Sequence, residues 1–386
     1  MTKDIIINPK GFLYAVESAS IKKAGNRDIA IIHSEVPCVV SGVFTCNKVK
    51  AAPVLLDMER VQSGSASSVV INSGNANACT GKQGMEDAIL MADTLAQALG
   101  VERQSTLVAS TGVIGQVMPM EKIVPAIKRA TGLLGKHTAL DAAQAIMTTD
   151  TFPKIMSIGN STGAIIGISK GAGMIHPNMA TTLTFIMTDF AITKVTLDRL
   201  LKEAVDRSFN RITVDGDMST NDTVLVLANG LSGNTDAEAF ADGLNTITEG
   251  LAKMVVKDGE GATKVFTVRI KNAKTHTEAD RFARTVANSP LVKTAMYGKD
   301  ANWGRIISAL GYAGPDFNPE NTDIYFDDIL IAKGGISMYA DKEAELVLNQ
   351  NEFDIIIDLH MGQAQAHIVT CDLTEEYIRI NGAYRT

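Results

Sequence analysis

The sequence of 386 residues is poor in cysteine, histidine and aromatic side chains, and it lacks the spacings of several common functional sites. The four cysteines are Cys38, Cys46, Cys79 and Cys371. They form no CxxC pair, so no zinc pattern is present, and we expect them to be reduced and buried. The six histidines form no HxxxH pair, and no GxGxxG dinucleotide fingerprint occurs.

Long apolar runs are also missing. No run approaches the ~20 residues that a membrane helix needs, and the N-terminus lacks the basic and apolar regions of a secretory signal. The net charge of −7, from 36 basic and 43 acidic residues, gives no electrostatic footprint for nucleic acid. These absences favour a cytoplasmic protein that binds neither membranes nor nucleic acids.

Three closely spaced aspartates bear on whether the chain binds a metal ion. Asp215, Asp217 and Asp222 are separated in a way that suggests a calcium loop, but the sixth-position glycine and the closing glutamate are missing. We interpret the three as turn and network residues and predict no metal site.

The apolar periodicity indicates a mixed α/β fold in which short strands alternate with amphipathic helices. The length predicts two lobes, whose boundary we place within 190–280. Strands are predicted at 28–32, 68–72, 106–109, 183–190, 223–228, 266–271, 324–331, 353–359 and 367–371. Helices are predicted at 85–99, from Gly84 to Gly100, and at 197–205, 237–254 and 278–286. Half-polar strands in the second half indicate antiparallel pairing with one wet face.

The most informative stretch is KGAGMIHPNMATTL, residues 170–183. A glycine-rich approach ends in two threonines, Thr181 and Thr182, which open an apolar strand. A hydroxyl placed there can attack its own preceding carbonyl and convert the amide to an ester that water cleaves. The new N-terminal threonine would then carry nucleophile and general base in one residue. A threonine pair can equally be an ordinary strand start.

A second candidate is the pair Thr111 and Gly112, which follows an apolar strand. A small turn at this point would expose a backbone N–H beside a hydroxyl, which suits a developing oxyanion. The alternative is a simple Ser-Thr-Gly turn.

Eight segments, taken in order, resemble the glutamate N-acetyltransferase family, also called ornithine acetyltransferases, of arginine biosynthesis. Each is weak alone, but together they run nearly end to end. They are 75–81, 109–115, 146–154, 170–183, 214–222, 257–263, 301–305 and 381–386.

The resemblance implies specific roles for residues. It implies self-cleavage between Ala180 and Thr181, with Thr181 as the nucleophile, and only the register of the motif separates Thr181 from Thr182. It implies an oxyanion hole from the Thr111 hydroxyl and the Gly112 N–H. Contacts to the substrate are implied for Thr148, Lys170, Thr181, Glu260, Asn381 and Thr386. Taken alone, Thr148 could be a helix cap and Lys170 or Glu260 a solvated surface charge.

The implied enzyme is made as one precursor and matures to an α chain (1–180) and a β chain (181–386). Its fold would be a layered sheet-and-helix architecture that resembles N-terminal-nucleophile hydrolases with a different topology. It would move an acetyl group from N-acetylornithine to glutamate by a ping-pong cycle without a cofactor, in an assembly of two α and two β chains. Whether acetyl-CoA also serves as a donor stays open.

Two other functions compete with that one. An amidohydrolase or aminopeptidase on the same self-cleaving scaffold would share the acyl-enzyme and pass the acyl group to water. A self-cleaved binding or regulatory protein would keep the loop but would leave the Thr-Gly oxyanion motif and the other polar segments unexplained.

Overall fold

The structure, a computed structural model, describes residues 6–22, 25–176 and 182–383. The described residues form two compact units. The first comprises those up to Asn210 together with Met218–Val255, and the second comprises Arg211–Asp217 together with those from Val256 onward. The units do not coincide with the expected products of cleavage, because the first continues well past residue 181.

The described part of the first unit contains one sheet of eight strands in the order β4-β3-β2-β8-β7-β6-β5, with β1 paired to β2. The strands are β1 (Phe12–Glu17), β2 (Ile29–Phe44), β3 (Ser65–Asn75), β4 (Thr106–Val113), β5 (Lys154–Asn160), β6 (Gly163–Lys170), β7 (Leu183–Thr188) and β8 (Thr223–Ala228). The helices are α1 (Ala52–Arg60), α2 (Gly81–Leu99), α3 (Met120–Thr131), α4 (Ala139–Ala145), α5 (Lys194–Arg207) and α6 (Ala237–Lys257).

Strand β2 divides this sheet into two layers. Its first half pairs with β1 and β3, its second half pairs with β8, and the register to β3 shifts between His33 and Cys38. Side chains from both parts enter one apolar core, including Val69, Ile71 and Leu107 from β3 and β4 and Ile166, Phe185 and Leu225 from β6, β7 and β8. The sheet therefore folds over and buries one face of each part against the other.

Helices cover the outer faces of the two layers. Ile31, Val70 and Val108 point outward from β2, β3 and β4 into a second core with α2 and α3. On the other layer, Gly167 of β6 lies against α6, where an added Cβ would be 2.6 Å from the side chain of Ile247. Helix, sheet, sheet and helix are stacked in that order, which confirms the predicted layered α/β class.

The described part of the second unit contains a six-stranded sheet in the order β12-β11-β10-β13-β9-β14. Its strands are β9 (Val265–Ala273), β10 (Asp323–Phe326), β11 (Ile329–Lys333), β12 (Ile336–Ser337), β13 (Glu352–Asp358) and β14 (Ala364–Cys371). Its helices are α7 (His276–Ala287), α8 (Pro290–Tyr297), α9 (Trp303–Gly311), α10 (Asp341–Leu348) and α11 (Glu375–Ala383). Phe266, Val268 and Ile270 of β9 enter a core with Phe282 of α7.

Four local expectations were wrong. Residues 324–331 form two strands, β10 and β11, because the chain turns at Asp327, whose φ is +48°. Helix α2 begins at Gly81; an added Cβ on Gly84 would lie only 1.8 Å from Thr80 Oγ1. Two of the cysteines, Cys46 and Cys79, are exposed. Thr111 and Gly112 lie within β4, and the predicted turn is absent there.

No helix within residues 6–22, 25–176 or 182–383 combines the length and the apolar character that a membrane crossing requires.

Candidate active site

Thr111 and Gly112 occupy the end of β4, where it pairs in parallel with Ser73 and Gly74 of β3. Gly112 has a φ of +135°, and an added Cβ there would lie 2.3 Å from the carbonyl carbon of Gly74. The chain therefore needs glycine at 112 on two grounds, conformation and space. Thr111 beside it is buried, with 7 % of its surface exposed.

Lys170, the last residue of β6, reaches Thr111 from the other layer. Its Nζ donates a hydrogen bond to Thr111 Oγ1 over 3.1 Å, although the two residues are 59 positions apart. In the register of β6 with β7, Lys170 lies opposite Leu183, the residue two positions after Thr181. The fold thus brings Thr111, Lys170 and the start of β7 to one place.

A buried carboxylate, Asp150, ties together the segments around Lys170. Its Oδ1 accepts hydrogen bonds from Lys154 Nζ at 2.6 Å and from the backbone N–H of Gly171 at 2.7 Å. Its Oδ2 accepts the backbone N–H of Thr148 at 2.9 Å. Thr148 lies beyond the end of α4, so it is not a helix cap. Asp150 and Lys154 were not singled out from the sequence, although both belong to the 146–154 motif.

The charges around Asp150 explain its acidity. Burial alone would raise the pKa of its carboxyl, but the ammonium groups of Lys170 and Lys154 outweigh that effect and lower the pKa to about 2. Lys22 lies in the same field. Burial, together with the repulsion of Lys170, lowers the pKa of Lys22 to about 8, while Asp28 and Asp150 oppose the shift. This part of the first unit therefore holds one buried lysine, Lys154, and two partly buried lysines, Lys22 and Lys170.

Asp222, at the start of β8, is a second buried carboxyl on which Lys170 acts. Burial raises its pKa well above the ordinary value, against the opposing effects of the Lys170 charge and a hydrogen bond from Ser219. Among the described residues its Oδ2 has no hydrogen-bond partner. The neighbouring Asn221 donates its amide to the carbonyls of Ala76 and Ser110 at 2.6 and 2.8 Å, which fixes the ends of β3 and β4.

Thr182, the competing nucleophile, is buried with its hydroxyl bonded inside the sheet. Its Oγ1 lies 2.7 Å from Thr184 Oγ1, which lies 2.8 Å from Ser169 Oγ. Its carbonyl accepts the N–H of Thr223 at 2.8 Å. This residue is therefore held on both its backbone and its side chain.

In the second unit, Glu260 and Asn381 form a pair. Asn381 Nδ2 donates to Glu260 Oε2 at 2.7 Å and to the carbonyl of Tyr377 at 3.1 Å. Tyr377 in turn bonds through its hydroxyl to Asp215 at 3.3 Å. Burial, with the nearby charges of Asp215 and Glu260, raises the pKa of Tyr377. The family resemblance implied substrate contacts for Glu260 and Asn381, but nothing in the sequence indicated that the two residues are in direct contact.

Three of the predicted site residues, Ala180, Thr181 and Thr386, lie outside the described residues. Thr111, Gly112, Thr148 and Lys170 are joined within the first unit by the contacts above. Among the described residues, histidine, cysteine and acidic side chains form no group of three or more that could hold a metal ion.

Comparison with known proteins decides the family. A family model described as ArgJ family matches residues 14–386. The chain belongs to the ArgJ family. The expected resemblance is therefore confirmed, and the protein is an acetyltransferase of arginine biosynthesis, as the members of this family are.

Individual ArgJ relatives match along the whole chain. The arginine biosynthesis bifunctional protein ArgJ of Geobacter sulfurreducens is 50% identical, with 98% of this chain and 100% of the relative covered. That of Symbiobacterium thermophilum is 49% identical, with 98% of each covered. Among solved structures, ArgJ from Bacillus halodurans has a TM-score of 0.49 and 41% identity, covering 51% of this chain and 96% of its own.

Proposed function

We propose that the protein transfers the acetyl group of N-acetylornithine to glutamate through an acetyl ester on Thr181. ArgJ membership supports the reaction, and one structural observation carries the placement of the site. Lys170 pairs with Leu183 across β6 and β7 while its ammonium reaches Thr111. A hydroxyl, a cation and a strand that starts two residues after Thr181 therefore meet in one place.

The first step of the proposal is maturation. Thr181 Oγ adds to the carbonyl carbon of Ala180, and the peptide nitrogen leaves, which converts the amide to an ester. Water then cleaves the ester, so that Ala180 ends in a carboxylate and Thr181 gains a free α-amine. Thr182 is a poorer candidate for this step, because its hydroxyl is bonded to Thr184 in the sheet.

The free α-amine of Thr181 then serves as the general base. Its reference pKa of about 7.7–8.0 allows it to accept the hydroxyl proton near neutral pH. Thr181 Oγ attacks the acetyl carbonyl of N-acetylornithine, and the oxyanion accepts hydrogen bonds from the Thr111 hydroxyl and the Gly112 N–H. The amide bond breaks, the α-amine returns the proton to the leaving nitrogen, and ornithine departs from the acetyl-threonine.

Glutamate completes the cycle by the reverse chemistry. Its amine attacks the ester carbonyl, the C–Oγ bond breaks, and N-acetylglutamate leaves while Thr181 regains its proton. The cycle needs no added cofactor. Because the relatives are named bifunctional, we extend the proposal to acetyl-CoA as a second acetyl donor to the same threonine.

The family motifs support the substrate-contact roles proposed for the remaining residues. Thr148 and Lys170 in the first unit, and Glu260, Asn381 and Thr386, are proposed to contact the amino-acid parts of the substrates. The hydrogen bond between Glu260 and Asn381 supports a shared role for those two. An assembly of two α and two β chains and a cytoplasmic location remain predictions.

The test follows the acetyl group. After incubation with N-acetylornithine alone, intact mass should find one acetyl group on the chain that begins with Thr181. Adding glutamate should remove that group and yield N-acetylglutamate in equal amount. Release to water at the same rate with and without glutamate would instead establish an amidohydrolase. No trapped acetyl group, together with intersecting initial-rate lines, would mean direct transfer in a ternary complex.

A further inference from the structure

The hydrogen bond from Lys170 to Thr111 also determines which of the two groups is the donor. An ammonium group has three donors and no acceptor, so Lys170 Nζ must donate and Thr111 Oγ1 must accept. The single hydrogen of the Thr111 hydroxyl therefore points away from Lys170 and remains available to another acceptor. A hydroxyl that accepts from a cation is also the stronger donor, because the two bonds polarise each other.

The fold requires a long side chain for this contact. Thr111 is on β4, in the layer formed with β1 and β3, while Lys170 ends β6 in the other layer. Packed layers lie on the order of 10 Å apart, a gap that lysine can cross and a short polar side chain cannot. Lys170 is only partly exposed, and Thr111 is buried.

The charge of Lys170 also has a countercharge inside the protein, the Asp150 carboxylate. It acts on the carboxyl of Asp150, which is anchored to Lys154 and Gly171, and on the buried carboxyl of Asp222. Its own chain neighbour Gly171 is held by Asp150. Asp150 therefore holds the backbone next to Lys170 and attracts its ammonium before any substrate arrives.

We propose that Lys170 is a positioning residue of the oxyanion site, which orients and polarises the Thr111 hydroxyl so that it donates to the tetrahedral oxyanion. The inference rests on the proposed function, and it gives Lys170 a role through Thr111 in addition to any contact with the substrate. A residue that binds the substrate carboxylate changes mainly KM. A residue that acts through the oxyanion donor changes kcat, and its effect disappears when that donor is absent.

A double-mutant cycle on the cleaved enzyme tests the coupling. The variants are Thr111→Val, Lys170→Met and the double variant, and intact mass establishes their cleavage. Thr111→Val should lower kcat by about 10²–10³, and Lys170→Met by about 10- to 100-fold. The double variant should have a kcat no lower than that of Thr111→Val. Any rise in KM that it shares with Lys170→Met reports the separate contact of Lys170 with the substrate. Lys82→Met, whose side chain is 93% exposed on α2, is the control and should match the parent.

Two outcomes would overturn the inference: losses that multiply in the double variant, or a Lys170→Met variant with an unchanged kcat and a raised KM. If Lys170→Met slows maturation, the two chains can be co-expressed as 1–180 and 181–386, and Lys170→Arg offers a second measurement. Arginine keeps the charge and a donor, so it should recover at least part of the lost kcat. A kcat for Lys170→Arg that is no higher than that of Lys170→Met would also contradict the inference. Failure of the proposed function itself would appear separately, as a parent enzyme that traps no acetyl group.

Discussion

Lys154 Nζ lies 2.6 Å from Asp150 Oδ1, and both side chains are completely buried. The same carboxylate holds the backbone of Gly171 and of Thr148. One ion pair thus connects the first residue of β5, the segment after α4 and the start of the approach to the cleavage site. Removing one partner of a buried pair with this many hydrogen bonds is expected to lower the free energy of unfolding substantially.

Replacing Lys154 by methionine tests that expectation. The change removes the ammonium that is bonded to the buried Asp150 carboxylate and leaves only the charge of Lys170 to oppose its burial, so the free energy of unfolding should fall by about 3–5 kcal/mol. Urea unfolding followed by circular dichroism measures it, with the exposed Lys128→Met on α3 as the matched control. A loss below about 1 kcal/mol, equal to that of the control, would mean that water or another group replaces the ammonium at no cost.

The buried Asp57 on α1 predicts a particular pH dependence. Burial raises its pKa well above the ordinary value, against the opposing effects of a hydrogen bond from the Val108 N–H and of the Arg60 charge. Because the pKa of Asp57 is raised in the folded state, its protonation contributes to the free energy of unfolding. That contribution is fully present below the unfolded pKa of about 3.9 and is lost as pH rises through the folded pKa. Asp57→Asn keeps an acceptor for Val108 and removes the titration.

The free energy of unfolding of the Asp57→Asn variant, relative to that of the parent, should therefore increase from pH 5 to pH 9. Urea unfolding at both pH values gives the difference, and the absolute stability at one pH does not matter. A parent-to-variant difference that is identical at the two pH values would contradict a raised pKa for Asp57.

Gly112→Ala should damage both folding and catalysis. An L-residue at a φ of +135° is strained, and its Cβ would lie 2.3 Å from the Gly74 carbonyl carbon and 2.5 Å from the Asn75 nitrogen. Backbone strain of this kind costs about 1–3 kcal/mol, and relief by moving β4 displaces the N–H proposed for the oxyanion. We expect a lower melting temperature and a lower kcat. Gly132→Ala, whose added Cβ would have one neighbour at 3.4 Å, is the control.

The C-terminal helix carries a prediction about substrate binding. Asn381→Ala removes the amide that bonds to Glu260, so KM should rise for both N-acetylornithine and glutamate while the Ala180–Thr181 cleavage stays intact. Deleting 381–386, which includes Thr386, should have the larger effect. Arg379→Ala, on the same helix with an exposed side chain, should leave KM unchanged. Unchanged KM in a cleaved, stable deletion would make the tail an ordinary chain end.

Local patterns predicted the regular elements well where periodicity was strong. The alternation at 266–271 lies within β9, the strand at 223–228 coincides with β8, and the face at 197–205 lies within α5. The sequence did not predict the length of β2, which continues through Pro37. A proline breaks the strand pattern locally, but here the bulge between His33 and Cys38 accommodates it and passes the chain from one layer to the other.

The site was predicted in part. The family motifs named Thr111, Gly112 and Lys170, but nothing in their spacing indicated that Lys170 bonds to Thr111 across two layers. Such a contact depends on how the sheet folds over, which is a property of the long-range pairing. Asp150 and Lys154 were missed for a related reason: buried charges are rare enough that a sequence pattern assigns them to the surface.

The most direct test of self-cleavage before Thr181 is the intact mass and N-terminal sequence of the purified protein. Without any added protease, we expect two chains of roughly 19 and 22 kDa, apportioned from 41.1 kDa by length, with the larger beginning at Thr181. Thr181→Ala should remain one chain and be inactive. A β chain that begins at Thr182, or a full-length protein with full activity, would contradict the assignment of Thr181 as both the cleavage residue and the nucleophile.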